Sequence, residues 1–278
     1  MTATPITIQT IDDFAAHPGA REAIASWDPA QELKDWAKEV RVRQIPWRSL
    51  HDWNQPRTKA MFHPSSLGNP CDMYLFLELV GAKERSRTDS STQLIFDTGT
   101  AIHLQMQYYQ HTRALVHDYE YHEEVAFWET NRDTRSLRLC GSADGAQTRE
   151  FVHNGARYSI PFIWEYKTIN QSGFERLGST PDKRYVKQVH GYMKTSGRPL
   201  TVLLYYCKND SSMRAYFIYF DKKLWTEIEH RLRRILEYEL HNSDEPERAT
   251  NRGCFRCKFF TECRPNISRV RGAKPSRV

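Results

Sequence analysis

Three charged residues near the middle of the chain, Asp144, Glu165 and Lys167, have the types and spacing needed for metal-assisted hydrolysis. Glu165 and Lys167 lie two residues apart in a segment typical of a β-strand, so their side chains share one face. Asp144 lies on or just after the preceding strand segment, and we expect the two segments to pair as a hairpin. Two carboxylates form an oxygen site that suits Mg²⁺ or Mn²⁺. A lysine beside them can orient or polarise a metal-bound water, whose pKa the metal lowers.

The Glu-x-Lys pair is weak evidence by itself, because charged pairs are common on the exposed face of a sheet. The residues on either side of the pair argue against exposure. Phe162, Ile163 and Trp164 precede it and Ile169 follows it, so the strand has an apolar character on both sides. Apolar flanks indicate an interior strand whose charged residues face a cleft.

The cysteines form a second candidate site. Cys254, Cys257 and Cys263 are close together near the end of the sequence. Three thiolates do not complete a four-coordinate site, and Cys71 is the best candidate for the fourth ligand, because it precedes a predicted helix whose amide dipoles favour a thiolate. Four cysteines suit either Zn²⁺ or an iron–sulfur cluster. The spacing is less usual for structural zinc, but zinc and four unrelated thiols stay as alternatives.

The remaining cysteines, Cys140 and Cys207, fall in predicted strands with apolar neighbours and are expected in the core.

The elements that must position these residues follow from hydrophobic periodicity and turn residues. Helices are predicted from Asp28-Pro29 onward, with Leu33, Trp36, Ala37 and Val40 on one face, and at 72–80, about 93–115, 182–196 and 221–240. Strands are predicted at about 120–129, 137–147, 158–168, 200–207 and 213–220. This order predicts one α/β domain with a central sheet flanked by helices.

The central residues resemble those of a known superfamily. Gly141-Ser-Ala-Asp-Gly145, followed by Ile163-Trp-Glu-Tyr-Lys-Thr168, resembles the PD-(D/E)XK nucleases, and within them the RecB-type exonuclease branch. The resemblance implies a restriction-endonuclease-like core with a central mixed sheet. It also implies that Asp144 and Glu165 bind metal ions, that the Tyr166 backbone carbonyl is a further ligand and that Lys167 is catalytic. The second acidic residue is Glu here, where many members of the branch have Asp.

Two further motifs extend the resemblance. Gly99-x-x-x-His103 lies in the predicted long helix, and the branch has a histidine in such an element that reaches the metal; imidazole suits Mn²⁺ better than Mg²⁺. The usual role of a lone helix histidine is instead a buried, hydrogen-bonded one. Gln188 and Tyr192 match the Gln-x-x-x-Tyr element of the branch and share a helix face. That face is expected at the active site or on DNA, with Tyr192 as a simple core residue as the alternative.

Basic residues follow the same predicted helix at Lys183, Lys187, His190 and Lys194. This stripe could bind phosphates, and a solvated helix face explains it equally well. The tryptophans of the first 60 residues, Trp36, Trp47 and Trp53, are expected to pack on the core rather than to stack on bases.

The cysteine pattern resembles the [4Fe–4S] site of AddB-type nucleases and of the CRISPR-associated exonucleases that act in spacer acquisition. In those proteins one cysteine precedes the nuclease core and three follow it. The resemblance implies a structural cluster that joins the segment near Cys71 to the C-terminal segment. The expected division is a helical or irregular N-terminal extension at 1–60, a nuclease domain at 61–265 with the cluster-binding cysteines at both ends, and a basic tail at 266–278.

Composition limits the classes of function only loosely. The formal net charge of +6 over 278 residues fits a nucleic-acid partner without requiring one. No apolar run reaches the ~18–20 residues of a membrane span, and the first residues do not resemble a signal peptide. We therefore expect no membrane partner and a reducing cytoplasm, that of a bacterium or of a phage-infected host.

The expected function is a metal-dependent DNA exonuclease that hydrolyses phosphodiester bonds from DNA ends, in recombination, repair or DNA processing. Its expected partner is DNA, single-stranded or with free ends, and a single-strand-binding or annealing protein is a candidate protein partner. The alternatives are a structure-specific or nicking endonuclease on the same fold and a catalytically inactive DNA-binding assembly module.

Overall fold

The segment that carries Glu165 and Lys167 lies in the middle of a mixed β-sheet. The computed structural model describes residues 4–42, 61–82, 84, 90–126, 137–241, 246–248, 254 and 257–263. The strands in these ranges are β1 (Ile6–Thr7), β2 (Tyr121–Ala126), β3 (Ser142–His153), β4 (Ala156–Ile169), β5 (Leu200–Cys207) and β6 (Met213–Tyr219). The sheet order is β2-β3-β4-β5-β6, and β1 also pairs with β4. β3 is antiparallel to β4, whereas β5 and β1 are parallel to it.

Helices cover both faces of this sheet. They are α1 (Ile11–Ala16), α2 (Gly19–Ala25), α3 (Pro29–Val42), α4 (Asp72–Leu79), α5 (Ser90–His117), α6 (Gln171–Glu175), α7 (Lys183–Ser196), α8 (Lys222–His241) and α9 (Phe260–Cys263), with a short 3-10 helix at Pro64–Ser66. A central mixed sheet flanked by helices is the predicted fold class, which is confirmed, and it is consistent with a restriction-endonuclease-like core.

The β3–β4 hairpin is fixed by its two-residue turn. Asn154 and Gly155 both have positive φ, 49° and 78°. This is the backbone of the primed turns that match the twist of paired strands. The resulting register places Gly145 opposite Trp164, and Asp144 therefore lies beside the Glu165–Lys167 segment.

Alternate residues of β4 pack on opposite faces of the sheet. Phe162, Trp164 and Tyr166 are buried in the cluster that also contains core residues of α1, α2, α3 and α5. Ile163 belongs instead to the cluster formed with Val189 and Met193 of α7. Because strand side chains alternate, Glu165 and Lys167 share the face of Ile163 and point toward α7.

A third apolar cluster joins α4 to α8. It contains Phe62, Leu75, Leu79, Leu232 and Ile235. At its edge, Arg231 and Arg234 each donate to the buried Asp72 carboxylate, at 2.7 Å. Burial by itself would raise the pKa of Asp72, but the two guanidinium groups lower it below its ordinary value.

The predicted boundaries are wrong in one place. The strand predicted at 137–147 begins only at Ser142 and continues to His153. Leu137 and Leu139 pack instead in the α4–α8 cluster, where Leu139 forms a single bridge with Phe62. Their apolar alternation therefore reflects a buried connection rather than the start of the strand.

The described part of the N-terminal segment packs directly on the sheet. Trp36 is 2% exposed and donates its Nε1–H to Thr112 Oγ1 at 3.1 Å, so its predicted packing role is confirmed. Trp47 and Trp53 lie outside the described residues. The division of the chain at residue 60 stays a prediction. Within the described helices, none has the length and apolarity that crossing a membrane requires.

Candidate active site

The Asp144 carboxylate is held by α5 on one side and by β4 on the other. His103 Nδ1 lies 3.0 Å from Asp144 Oδ1. The backbone N–H of Tyr166 donates to Oδ2 at 2.6 Å. Gln107, one turn after His103 on α5, donates its Nε2–H to the Asp144 carbonyl at 3.0 Å. Side chain and backbone of Asp144 are thus fixed together.

The Glu165 carboxylate faces Lys167 and α7. Its side chain is only 4% exposed, and that of Lys167 is 17% exposed. Lys167 Nζ donates to Glu165 Oε1 at 2.5 Å, and Gln188 Nε2 donates to the same oxygen at 2.7 Å. Gln188 also donates to Tyr192 Oη at 3.1 Å. Gln188 and Tyr192, one turn apart on α7, therefore form one hydrogen-bonded chain with the Glu165 carboxylate.

Two glycines permit the close packing around Asp144. A Cβ on Gly145 would lie 2.5 Å from Tyr121 Oη, and this hydroxyl is within 3.5 Å of the Asp144 carbonyl. A Cβ on Gly99 would lie 3.3 Å from Thr168 Oγ1, so glycine allows α5 to cross close to the end of β4. His103, one turn later, then packs edge-on against Tyr166, with 6.0 Å between ring centroids.

The buried carboxylates differ in their electrostatic surroundings. Burial raises the pKa of Glu165 to about 7, although Lys167 lowers it, and the nearby Asp144 adds to the rise. Burial also favours a raised pKa at Asp144, but His103 and Lys167 outweigh it and lower the pKa. Burial lowers the pKa of His103, whereas the Asp144 carboxylate raises it above its ordinary value. At Glu165 the protein's own positive charge does not offset burial.

These residues fit a hard divalent cation by the chemistry of their donors. The His103 imidazole contacts the Asp144 carboxylate, and the Glu165 carboxylate lies nearby. The raised pKa of Glu165 indicates that a positive charge beside it, such as a divalent cation, would be stabilising. Both Asp144 oxygens and Glu165 Oε1 accept hydrogen bonds from protein donors. In the described ranges no three His, Cys, Asp or Glu side chains are already arranged to hold a metal ion.

The segment after Cys71 and the segment around Cys257 contact each other. Cys71 precedes α4, Cys257 N–H donates to the Cys254 carbonyl at 3.0 Å, and Cys263 is the last residue of α9. Burial raises the pKa of the Cys263 thiol above its ordinary value, and the nearby Arg248 lowers it only in part. The charges of Cys71, Cys257 and Cys254 also raise it. Among the described residues, which include all four of these cysteines, no three His, Cys, Asp or Glu side chains are arranged to hold a metal ion.

The two segments that carry these cysteines are also joined by other side chains. Tyr74 packs edge-on against Phe259, with ring centroids 5.3 Å apart. Lys258 donates to Glu78 at 3.1 Å. Cys140 and Cys207 are 2% and 0% exposed, which confirms their prediction as core residues.

The basic stripe predicted on α7 is only partly formed. His190 is 1% exposed, so its place on an exposed stripe is wrong. Its Nδ1 lies 2.7 Å from the Val186 carbonyl, and its Nε2 accepts the Asp221 backbone N–H at 3.0 Å. Lys183 is exposed, whereas Lys187 and Lys194 are half-buried. A DNA-binding role for the three lysines stays a prediction.

Sequence reasoning missed Gln107 and Tyr185. Gln107 lies four residues after His103, and this i, i+4 spacing was the available signal. Tyr185 lies three residues before Gln188, and its ring centroid is 4.8 Å from Lys167 Nζ. No motif identified it.

The fold and the site define a mixed α/β protein with a buried carboxylate–lysine centre. No protein-family model matches this sequence, and no curated protein matches it. Similar solved structures include LHK-Exo, an alkaline exonuclease from Laribacter hongkongensis, at 17% identity and a TM-score of 0.43, covering 65% of this chain and 89% of that one. LHK-Exo in complex with dAMP is similar at 17% identity, a TM-score of 0.44 and the same coverage. SSO0001 is similar at 16% identity and a TM-score of 0.42, covering 83% and 93%.

Proposed function

We propose that this protein is a metal-dependent DNA exonuclease that hydrolyses phosphodiester bonds from DNA ends. One observation carries the proposal. The buried carboxylate of Asp144 contacts His103 of α5, and the buried carboxylate of Glu165 contacts Lys167 and α7. A buried, raised-pKa carboxylate beside a lysine is characteristic of functional sites. The same residues resemble the RecB-type exonuclease pattern, which favours hydrolysis of phosphodiester bonds over other metal-assisted hydrolyses.

Asp144, Glu165 and His103 would hold Mg²⁺ or Mn²⁺, which lowers the pKa of a bound water and offsets charge on the phosphate. The Tyr166 carbonyl is proposed as a further ligand. Lys167 carries an ammonium, which donates hydrogen bonds and accepts none. Its proposed role is to position the attacking water and to stabilise charge on a phosphate oxygen.

The remaining residues orient this set. Gln188 fixes the Glu165 carboxylate from α7, and Tyr192 fixes Gln188 in turn. Gln107 holds the Asp144 backbone, so the carboxylate keeps its direction toward His103. Burial of Glu165 limits competition from bulk water, which strengthens each of these interactions.

A digestion assay tests the proposal. End-labelled single- and double-stranded DNA and covalently closed circular DNA are incubated with the protein in Mg²⁺ or Mn²⁺. An exonuclease degrades the linear DNA and leaves closed circles intact; cut circles favour the endonuclease alternative. Failure to cleave any DNA in either metal favours the inactive DNA-binding module. Lys167→Ala should abolish cleavage while the circular dichroism spectrum stays that of the wild type.

We further propose that Cys71, Cys254, Cys257 and Cys263 bind a [4Fe–4S] cluster of structural role. The contacts of α4 with residues 258 and 259, next to Cys257, support this set. The cluster would hold α4 to the C-terminal segment. This proposal is independent of the nuclease assignment.

Anaerobic purification tests the cluster. Protein with the cluster should be brown, absorb broadly near ~400 nm and contain iron and sulfide. Cys71→Ser should lose iron, whereas Cys207→Ser, the same change at a cysteine outside the set, should keep it. Colourless protein with one zinc per chain would establish the zinc alternative instead.

The proposed setting is DNA recombination, repair or processing in the cytoplasm. A single-strand-binding or annealing protein is the proposed protein partner, and co-purification with the tagged chain would test it.

A further inference from the structure

The Lys167 ammonium lies between a carboxylate and an aromatic face. Its Nζ is 2.5 Å from Glu165 Oε1 and 4.8 Å from the ring centroid of Tyr185. This distance is within the range in which the negative face of an aromatic ring attracts a cation. The side chain of Lys167 is 17% exposed, so water weakens this attraction little.

Tyr185 itself is held in place by further aromatic rings. Its ring packs edge-on against Tyr205, with centroids 6.1 Å apart. Tyr205 is 1% exposed and packs in the same manner against Tyr216, at 5.7 Å. The Tyr205 hydroxyl also accepts the backbone N–H of Asp182, at the start of α7, at 3.4 Å. The ring that faces Lys167 is therefore fixed to both the sheet and the helix.

One turn of α7 controls both members of the Glu165–Lys167 pair. Gln188, three residues after Tyr185, donates to the same Glu165 oxygen that accepts from Lys167. Gln188 thus orients the carboxylate while Tyr185 limits the directions open to the ammonium. A long lysine side chain loses rotamer entropy when it is fixed, so a preformed contact lowers the cost of placing it.

We propose that Tyr185 is a positioning residue for Lys167. Its ring face fixes the ammonium against Glu165, so that a remaining N–H points toward the attacking water or the phosphate. The role needs the aromatic ring and not the hydroxyl. It rests on the proposed nuclease function, in which Lys167 acts on the substrate.

The test compares Tyr185→Leu with Tyr185→Phe in the digestion assay on end-labelled DNA. Tyr185→Leu removes the ring and should lower kcat by roughly 5- to 30-fold with KM unchanged. Tyr185→Phe restores the ring and should recover most of that loss. Tyr206→Leu is the matched control, because Tyr206 is a half-buried tyrosine packed on the opposite face of the sheet. It should lower the melting temperature without lowering kcat.

An NMR measurement separates failure of this inference from failure of the nuclease proposal. In protein labelled with ¹³C-lysine, the ring should shift the Lys167 ε-methylene protons upfield. Lys167→Arg assigns the signal, which should survive in Tyr185→Phe and move to an ordinary position in Tyr185→Leu.

Each combination of results has one meaning. If the wild type cleaves DNA and Tyr185→Leu keeps its kcat, the positioning role is overturned. A change in KM alone also overturns it, because the ring would then contact DNA rather than Lys167. If the wild type cleaves no DNA, both proposals fail, and an upfield lysine signal would show that only the contact itself exists.

Discussion

Replacing Gln188 by leucine should both destabilise the protein and slow cleavage. The side chain is 4% exposed and makes two hydrogen bonds, one to the charged Glu165 and one to the Tyr192 hydroxyl. A hydrogen bond to a charged group contributes about 1.5–3 kcal/mol and a neutral one about 0.5–1.5 kcal/mol. Leucine has a similar volume, so a cavity adds little. The expected loss in the free energy of unfolding is therefore about 2–4 kcal/mol.

Urea unfolding followed by fluorescence measures this loss, and the digestion assay measures kcat on the same preparations. Tyr192→Phe is the matched control, since it removes the neutral hydrogen bond from Gln188 and leaves the bond from Gln188 to Glu165, and it should cost about 0.5–1.5 kcal/mol. We expect kcat to fall in Gln188→Leu because the Glu165 carboxylate loses its only contact with α7 among the described hydrogen bonds. If Gln188→Leu unfolds at the wild-type urea concentration and keeps its kcat, then Gln188 does not hold Glu165.

Two further changes test the packing around the site. Gly145→Ala should destabilise the protein by about 1–3 kcal/mol, because the new Cβ would lie 2.5 Å from Tyr121 Oη, and thermal unfolding would show it; a wild-type melting temperature would contradict the close contact. Asp72→Asn should lower the free energy of unfolding by about 2–3 kcal/mol, measured by urea unfolding. This loss is smaller than that expected for a fully buried ion pair, because Arg234 is half exposed. The matched control is Asp182→Asn, whose Arg184 partner is largely exposed, and equal losses in the two variants would refute the distinction.

The sequence predicted the face of β4 that carries the charged pair, since strand periodicity alone places Glu165 and Lys167 together. The apolar flanks also indicated burial correctly, and Glu165 is 3% exposed. The sequence did not predict that Asp144 is held by a backbone N–H of Tyr166, because a backbone donor carries no residue-type signal. The same limit applies to Tyr185, whose contact with Lys167 depends on how α7 packs on the sheet.

The sequence predicted helical or irregular structure for the N-terminal segment but did not locate the short helices α1 and α2, for a different reason. With six and seven residues, α1 and α2 have too few turns for an apolar period to be distinguished. A local signal was nevertheless present at α1, where Thr10 and Asp13 form a capping box. The spacing on α7 also did not indicate that His190 is buried, because its partner is the backbone N–H of Asp221, 31 residues later and directly before α8.

The β3–β4 hairpin also determines where a reporter can be attached. Its turn at Asn154 and Gly155 is exposed, and it lies about 30 Å along β3 from Asp144 at the usual rise per strand residue. Exposed turn tips tolerate inserted sequence well. A fluorophore or a surface tether placed there would leave the proposed DNA-facing end of the sheet unobstructed. Single molecules could then be immobilised in a known orientation, so that the shortening of one DNA strand is followed in real time.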